Sequence, residues 1–236
     1  MASHPANVTQ RILLTGATRG IGAAIAALLA DRGATVCGVG SSEFDLATTE
    51  APGRAWAAAI AQMGGVDVLI NNAGVFEANP IDRDEQEWTA AWERTMAINL
   101  LAAAHLSRYA VRDWVRSKSG GRIVNIASRA AHRGDSPEHW HYAASKGGMV
   151  AMTKTIARAY AASGIYAFAI SPGFTMTGMA EDYVASRGGD RLLADIPLGR
   201  VATADEIATI AAFCALDAPP SMTGAVLDAN GASYVR

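Results

Sequence analysis

The sequence predicts an α/β fold, a doubly wound domain whose mostly parallel sheet is flanked by helices on both faces. Three features of the chain lead there. Short apolar runs alternate with longer helix-patterned segments from end to end. The first run, Ile12-Leu13-Leu14, stops at a glycine turn that opens onto an Ala/Leu-rich stretch. A later run, Val66–Ile70, is apolar almost throughout, as in a parallel strand covered on both faces.

The glycine turn reads Thr15-Gly16-Ala17-Thr18-Arg19-Gly20-Ile21-Gly22, a G-x-x-x-G-x-G spacing rather than the commoner G-x-G-x-x-G. Strand, glycine turn and helix place free backbone N–H groups and the positive end of a helix dipole where an anion can sit. Gly16 allows a tight turn, Gly20 close approach to a pyrophosphate, and Gly22 close packing of the helix on the sheet. Ordinary loop punctuation would use the same glycines, so the assignment leans on the rest of the chain.

The second strand is expected over Thr35–Val39 and ends at Gly40-Ser41-Ser42. Dinucleotide folds often carry an acidic residue here for the adenosine ribose 2′-hydroxyl. Without one, a 2′-phosphate can be held by Ser41, Ser42, local N–H groups and Arg19. NADP(H) is therefore favoured, with NAD(H) the alternative. Glu43 can take the acidic role from a shifted position, and Ser41 and Ser42 can be turn residues only. Phe44-Asp45-Leu46 reads as a very short third strand, with a turn in place of the crossover helix before it. Ala51–Met63 is helical in pattern and Gly64-Gly65 ends it. Val66–Ile70 then runs into Asn71-Asn72-Ala73-Gly74.

A polar loop leads to a long helical segment from about Gln86 to Trp114, with Asn99 among apolar neighbours in its middle. A buried asparagine needs partners, so Asn99 is either a core hydrogen-bonder or a site residue. Arg122–Ala127 is the next strand and Ser128 ends it. A loop with Arg129, His132, Arg133, His139, Trp140 and His141 precedes a helix over Tyr142–Ala162, closed by Gly164. Ile165–Ile170 is a strand ending at Ser171-Pro172-Gly173, and the polar segment Thr175–Asp195 interrupts the alternation. A helix starts at Thr203 or Ala204, with Asp205 and Glu206 in its first turn where the dipole favours them, and runs to about Ala215. Gly224–Asp228 supplies the last strand. Without linker, repeat or low-complexity tract, one domain over residues 1–236 is expected. Ligands in such sheets bind outside the carboxyl ends of the strands. Thr15/Gly16, Gly40/Ser41, Asp45, Asn71–Gly74, Ser128 and Pro172/Gly173 should therefore line one crevice.

Half of the 236 residues are apolar, enough for a full core. A formal charge of −2 and a sequence pI of about 6.2 argue against nucleic-acid partners and a polybasic membrane patch. Cys37 and Cys214 lie far apart and form no metal-ligand pattern, so buried thiols in a reducing cytoplasm are expected, with no metal. The start, MASHPANVTQR, lacks the apolar core of a signal peptide. No apolar run reaches the length of a membrane span.

Tyr142 and Lys146 stand four residues apart and share a helix face. A phenol ordinarily titrates near pH 10. A neighbouring ammonium, and the positive nicotinamide of an oxidised cofactor, favour its anion. Tyr142 can then act as general base on an alcohol or general acid on a ketone. Ser128 can hydrogen-bond the substrate oxygen as charge develops, while a cofactor carries the hydride. Taken singly, Tyr142 is an aromatic at a helix start and Lys146 a solvated helix residue. At one sheet edge beside a dinucleotide turn, they make a site.

Over essentially its whole length the chain resembles the short-chain dehydrogenase/reductase family, a group of Rossmann-fold oxidoreductases. The matching motifs are the Thr15–Gly22 turn, Asn71-Asn72-Ala73-Gly74, the Asn99 segment, Ser128, Tyr142-Ala143-Ala144-Ser145-Lys146 and Ser171-Pro172-Gly173. The resemblance implies a catalytic set of Asn99, Ser128, Tyr142 and Lys146. In it, the asparagine distorts its helix and holds a water in a proton relay, and the lysine also holds the nicotinamide ribose. It implies cofactor contacts from Gly16, Thr18, Arg19, Gly20, Ile21 and Gly22 in the turn, and from Ser41 and Ser42. Asp45 would contact the adenine and Asn71 the adenosine ribose side, with Ala73 and Gly74 beside them. Tyr142, Lys146, Pro172 and Gly173 would border the cofactor, and Thr175 and Thr177 would contact the carboxamide or pyrophosphate. A substrate lid over 176–196 and a homotetramer or homodimer, packed through the Asn99 and Tyr142 helices, are implied as well.

Two departures stand out: the deleted crossover helix, and Ala229-Asn230-Gly231 where the family has Asp-Gly-Gly. The layout, including Pro172–Met179 and Leu198-Gly199-Arg200, is closest to the 3-oxoacyl carrier-protein reductase branch. That branch sets basic residues at the site mouth to grip an acidic carrier. The corresponding positions here read Ser119 and Ser163, with Lys118 near, which weakens that reading. One or two residues of the Arg129–His141 loop are candidates for binding an anionic or polar ring substrate. A solvated loop or a subunit contact is the favoured alternative. The leading function is an NAD(P)-dependent oxidoreductase of a small alcohol or ketone. A non-catalytic nucleotide sensor would be expected to lose Tyr142 or Lys146. An extended-type epimerase or dehydratase would carry a larger C-terminal substrate region.

Overall fold

The computed structural model describes residues 9–176 and 193–236. Thr177 and most of the expected lid lie outside the described residues.

The chain starts on β1 (Arg11–Thr15), crosses through α1 (Gly20–Asp31) to β2 (Thr35–Val39), and returns through α2 (Ala51–Met63) to β3 (Val68–Asn71). Two helices, α3 (Glu85–Met96) and α4 (Ala102–Ser117), run on through a π turn at Ala97–Leu101 and lead to β4 (Gly121–Ile126). The one-turn α5 (Ala130–Arg133) and the long α6 (Trp140–Tyr160) precede β5 (Ile165–Pro172). The short β6 (Thr175–Met176) and β7 (Ala202–Thr203) pair with each other, and α7 (Ala204–Ala212) leads to β8 (Val226–Ala229).

The period of two in β1 sets the layers. Ile12 and Leu14 pack with Ile25 and Leu29 of α1 and Ile207 and Ala211 of α7. Leu13 faces the opposite layer, with Ala55 and Trp56 of α2 and Leu106 and Trp114 of α4. All of these side chains are buried, and this two-sided cover is why the strands read as apolar runs. The main sheet has the order β2-β1-β3-β4-β5-β8, parallel at every pair. The chain leaves β1 on one side for β2 and returns on the other as β3, so the order reverses there. That opens a crevice at the carboxyl ends of β1 and β3.

The predicted third strand at Phe44-Asp45-Leu46 is absent. The Phe44 N–H returns to the Gly40 carbonyl at 3.0 Å, the Asp45 carboxylate accepts from the Ala47 N–H at 3.1 Å, and the Thr48 N–H bonds the Asp45 carbonyl at 3.0 Å. These bonds close the segment on itself as turns, with Leu46 buried against Ala51 and Ala102. Turns do replace the crossover helix, and β2 is left as the sheet edge. The long helical segment is interrupted at Asn99, which sits in the π turn. Among the described residues no helix is long and apolar enough to cross a membrane, and no group of metal-binding side chains occurs. Cys37 and Cys214 are buried free thiols.

Candidate active site

The crevice is built on Thr15, at the end of β1. Its hydroxyl accepts the N–H groups of Asn72 and Ala73, both at 3.0 Å, and so fixes the chain after β3 beside the glycine turn. The Asn72 amide donates to the Thr15 and Gly16 carbonyls at 3.1 and 3.0 Å. Gly16 has φ of +67°, and a Cβ there would stand 2.9 Å from the Ala73 Cα, so both backbone and space require glycine. A Cβ on Gly22 would strike the Gly16 carbonyl oxygen. Helix α1 opens at Arg19 with no side-chain cap and no acidic residue in its first turn. Its leading N–H groups, beside two positive-φ glycines at 16 and 20, fit a pyrophosphate. Thr18, Arg19, Ser41, Ser42 and Asp45 are exposed at the neighbouring strand ends.

Asn71 stands differently from its predicted place. Its side chain is buried, donating to Asn125 at 2.8 Å and Ser107 at 3.4 Å, with Oδ1 unpartnered. Asn125 passes the chain on to Thr153 of α6 at 2.8 Å. The amide thus ties β3 to β4 inside the sheet. It is Asn72 that braces the glycine turn.

Asn99 is fully buried. Its amide accepts from the Val75 N–H at 2.8 Å and donates to the Val75 carbonyl at 3.0 Å and to Ser145 Oγ at 3.2 Å. Ser145 donates in turn to the Tyr142 carbonyl at 2.7 Å. The π turn that holds Asn99 is thereby joined to the start of α6 and to the loop after β3. Lys146, one turn beyond Tyr142, is 4% exposed and donates to the Ile126 carbonyl at the end of β4 at 2.8 Å. Gly74 lies between the two: a Cβ there would be 3.3 Å from Asn99 Oδ1 and 3.5 Å from Lys146 Nζ.

Tyr142 is half-buried, with its ring centroid 5.8 Å from Lys146 Nζ and 4.8 Å from the ring of Phe76, which meets it edge-on. Burial pushes the phenol up to about 12; a hydrogen bond with Ser128 pulls it down and Asp135 raises it further. Burial brings the Lys146 ammonium down to about 8. Desolvation is the largest of these effects and favours the neutral phenol over its anion. Ser128 Oγ also accepts the Ala130 N–H at 3.1 Å, which orients it. A phenol above a buried ammonium, with a serine hydroxyl at the end of β4, at the crevice of a dinucleotide-type fold, can deliver a proton to a carbonyl oxygen.

The profile of a family described as enoyl-(acyl carrier protein) reductase matches residues 38–231. The 3-oxoacyl-[acyl-carrier-protein] reductase of Vibrio cholerae serotype O1 is 34% identical over 241 residues, covering 94% of this chain and 96% of that protein. The corresponding reductase of Escherichia coli K12 is also 34% identical, with the same coverage. The acetoacetyl-CoA reductase of Shinella zoogloeoides is 32% identical, covering 94% of this chain and 97% of that protein. The chain belongs to the short-chain dehydrogenase/reductase family. It is an oxidoreductase that uses a nicotinamide cofactor to interconvert an alcohol and a ketone.

In this dehydrogenase/reductase the loop after Ser128 scatters its ring and basic side chains. Arg129 packs over Phe174, with 4.8 Å from its guanidinium carbon to the ring centroid. His132 meets Ser171 Oγ at 3.3 Å and stacks on Tyr234. Arg133 and Trp140 are exposed. His139 stacks on Phe76 at 3.9 Å, and His141 is buried beside Trp92. Ser119 and Ser163 sit just before β4 and β5, at the amino-terminal edge of the sheet. Within the subunit that edge is opposite the crevice.

Asn230, in the Ala229-Asn230-Gly231 stretch that departs from the family's Asp-Gly-Gly, is buried, and its amide donates to the Tyr234 carbonyl at 3.0 Å. A carboxylate could not make that bond. Thr175 donates to the Gly173 carbonyl at 3.2 Å, and a Cβ on Gly173 would be 2.8 Å from the Asn230 Cα. Thr15, Asn72 and Ser145 are the positioning residues that sequence reasoning did not single out. All three lie inside the family motifs, but only the fold shows that the Thr15 hydroxyl acts across 57 residues.

Proposed function

We propose that this chain is an NADP(H)-favouring reductase of small ketones of the 3-oxoacyl kind, with Tyr142 as proton donor. The reading rests on the buried Lys146 ammonium, held by the carbonyl of Ile126, two residues before Ser128 at the end of β4, and 5.8 Å from the Tyr142 ring centroid. Gly16, Thr18, Arg19, Gly20, Ile21 and Gly22 would hold the pyrophosphate, and Arg19, Ser41 and Ser42 the 2′-phosphate. Lys146 would hold the nicotinamide ribose, with Ala73, Gly74, Pro172, Gly173 and Thr175 around it. When bound, the cofactor supplies the hydride that adds to the carbonyl carbon. Ser128 and Tyr142 hydrogen-bond the carbonyl oxygen, and Tyr142 gives up its proton there as negative charge builds. Lys146 keeps positive charge close to the phenol and eases that loss. Asn99 is a positioning residue, acting through Ser145 on the first turn of α6.

The activities for which the relatives are named suggest a 3-oxoacyl group, carried on a protein or on coenzyme A. Leu101 and Trp140 are exposed on the π turn and α6, which suits a homotetramer or homodimer packed through those helices. Free buried thiols at Cys37 and Cys214 suit a reducing cytoplasm. The test is a parallel titration with NADPH and NADH followed by nicotinamide fluorescence, then an assay on acetoacetyl thioesters. Tighter NADPH binding and thioester-dependent NADPH oxidation are expected. Tighter NADH binding would overturn the 2′-phosphate assignment and implicate Glu43. Binding of neither would overturn the enzyme reading.

A further inference from the structure

Arg129 follows Ser128 directly, and its backbone N–H donates to the Pro172 carbonyl at 2.9 Å, so it stands where β4 and β5 both end at the crevice. Its guanidinium is held against the face of Phe174, the residue after Pro172-Gly173. Its Nη1 is buried and has no hydrogen-bond partner. Arg129 makes none of the ion pairs found among the described residues. Arg133 repels it, and the attraction of Asp135 and Asp195 acts from beyond ion-pair distance. A desolvated cation with an unmatched N–H is unfavourable. Its planar fork of donors is matched best by a carboxylate, which takes two parallel hydrogen bonds. A lysine or a neutral side chain would not offer that geometry. The other cations and imidazoles of the same loop are exposed or already engaged by Ser171, Tyr234, Phe76 and Trp92. His141 also keeps both ring nitrogens buried without partners, but beside Trp92 of α3, and Arg133 is exposed; Arg129 is the cation that directly adjoins Ser128, the residue proposed to hold the ketone oxygen.

We propose that Arg129 is a specificity-determining residue that grips a free carboxylate on the substrate, so that this reductase prefers a small oxo acid over the matching neutral ester or thioester. The proposal rests on the reductase reading above and sets the free oxo acid ahead of the carrier-borne thioester as substrate. Phe174 packs against the guanidinium, and the carboxylate takes the Nη1 donor that no side chain satisfies. The Ser128–Arg129 step then sets the ketone in register with Tyr142.

The test compares 2-, 3- and 4-oxo acids (pyruvate, acetoacetate, levulinate) with their methyl esters, and acetoacetate with its N-acetylcysteamine thioester. Wild type, Arg129→Met and Arg129→Lys are assayed for kcat/KM. Methionine keeps an apolar stem over Phe174, and lysine keeps the charge if methionine does not fold. Wild type is expected to prefer the acid at one chain length, and Arg129→Met to lose about 10- to 100-fold on that acid, the scale of a charge-assisted hydrogen bond. The loss on its ester should stay within about 3-fold, and Arg129→Lys should recover part of the acid activity. Calorimetric titration of the same oxo acid with oxidised cofactor present, a pair that cannot turn over, should show the same ratio in affinity. Equal losses on acid and ester, or no acid preference at any length, overturn the Arg129 assignment and leave the reductase reading standing. Acid binding that depends on Arg129 without reduction of any ketone supports the assignment and overturns the reductase reading. Neither binding nor reduction overturns both.

Discussion

Replacing Asn99 with alanine should destabilise the protein by about 2–4 kcal/mol, from three hydrogen bonds at roughly 1 kcal/mol each plus the mismatch left behind. The amide is fully buried and bonds both polar groups of Val75 as well as Ser145 Oγ. Val75 is itself only partly buried, so water can recover some of the loss. For a chain of this size each kcal/mol shifts the melting temperature by about 2–4 °C, so a fall of roughly 4–16 °C is expected. Activity should fall more steeply, because Ser145 loses its link to the π turn and Tyr142 lies in the first turn of α6. Asn99→Asp is the sharper control. It keeps the size and the acceptor but removes both donors and sets a carboxylate oxygen against the Val75 carbonyl, so it should be at least as damaging as alanine. Urea unfolding and calorimetry at fixed protein concentration measure both, since oligomer formation makes stability concentration-dependent. A loss below about 1 kcal/mol for alanine, or a milder effect from aspartate, would refute the claim that this amide holds the loop and helix together.

The pH profile follows from Lys146, whose ammonium is brought down to about 8 by burial, while the phenol stays protonated to about 12. Reduction should therefore weaken as pH rises through about 8 in the free enzyme, seen in kcat/KM; a flat profile to pH 10 would contradict it. The same depressed value works on stability. The unfolded chain holds the lysine proton up to about pH 10.4 and the folded chain only to about 8. Stability from this group thus rises with pH between those values and is lost as pH falls through 8. Lys146→Met should abolish activity yet raise stability at pH 7 by about 1–3 kcal/mol, since it removes a buried charge; a destabilised variant in urea unfolding would count against this.

Some of the site was legible because it is local. Tyr142 and Lys146 share a face whatever surrounds them, because four residues is one helical turn. The glycines at 16, 20 and 22 announce a turn between strand and helix for the same reason, and two of them take positive φ. The failures are where one pattern serves two structures. Phe44-Asp45-Leu46 has the apolar–polar–apolar order of a strand, but a strand needs a neighbour, and hydrogen bonds back to Gly40 closed the segment first. Asn71 and Asn72 are the same residue type side by side. The alternation of β3 turns one into the sheet toward Asn125, and the chain beyond it sends the other to the glycine turn.

By itself the sequence determined the α/β alternation, the anion-binding turn, the spacing of phenol and ammonium, and the family. Each is set by periodicity and backbone freedom within a few residues. The tertiary structure alone decided what Asn99 holds, which of two asparagines braces the turn, and that Arg129 lies over Phe174 with a buried N–H unmatched. Those outcomes depend on partners 24 to 57 residues away in the chain. Burial then settles the protonation of Tyr142 and Lys146, because the cost of charge depends on the surroundings that the whole fold supplies.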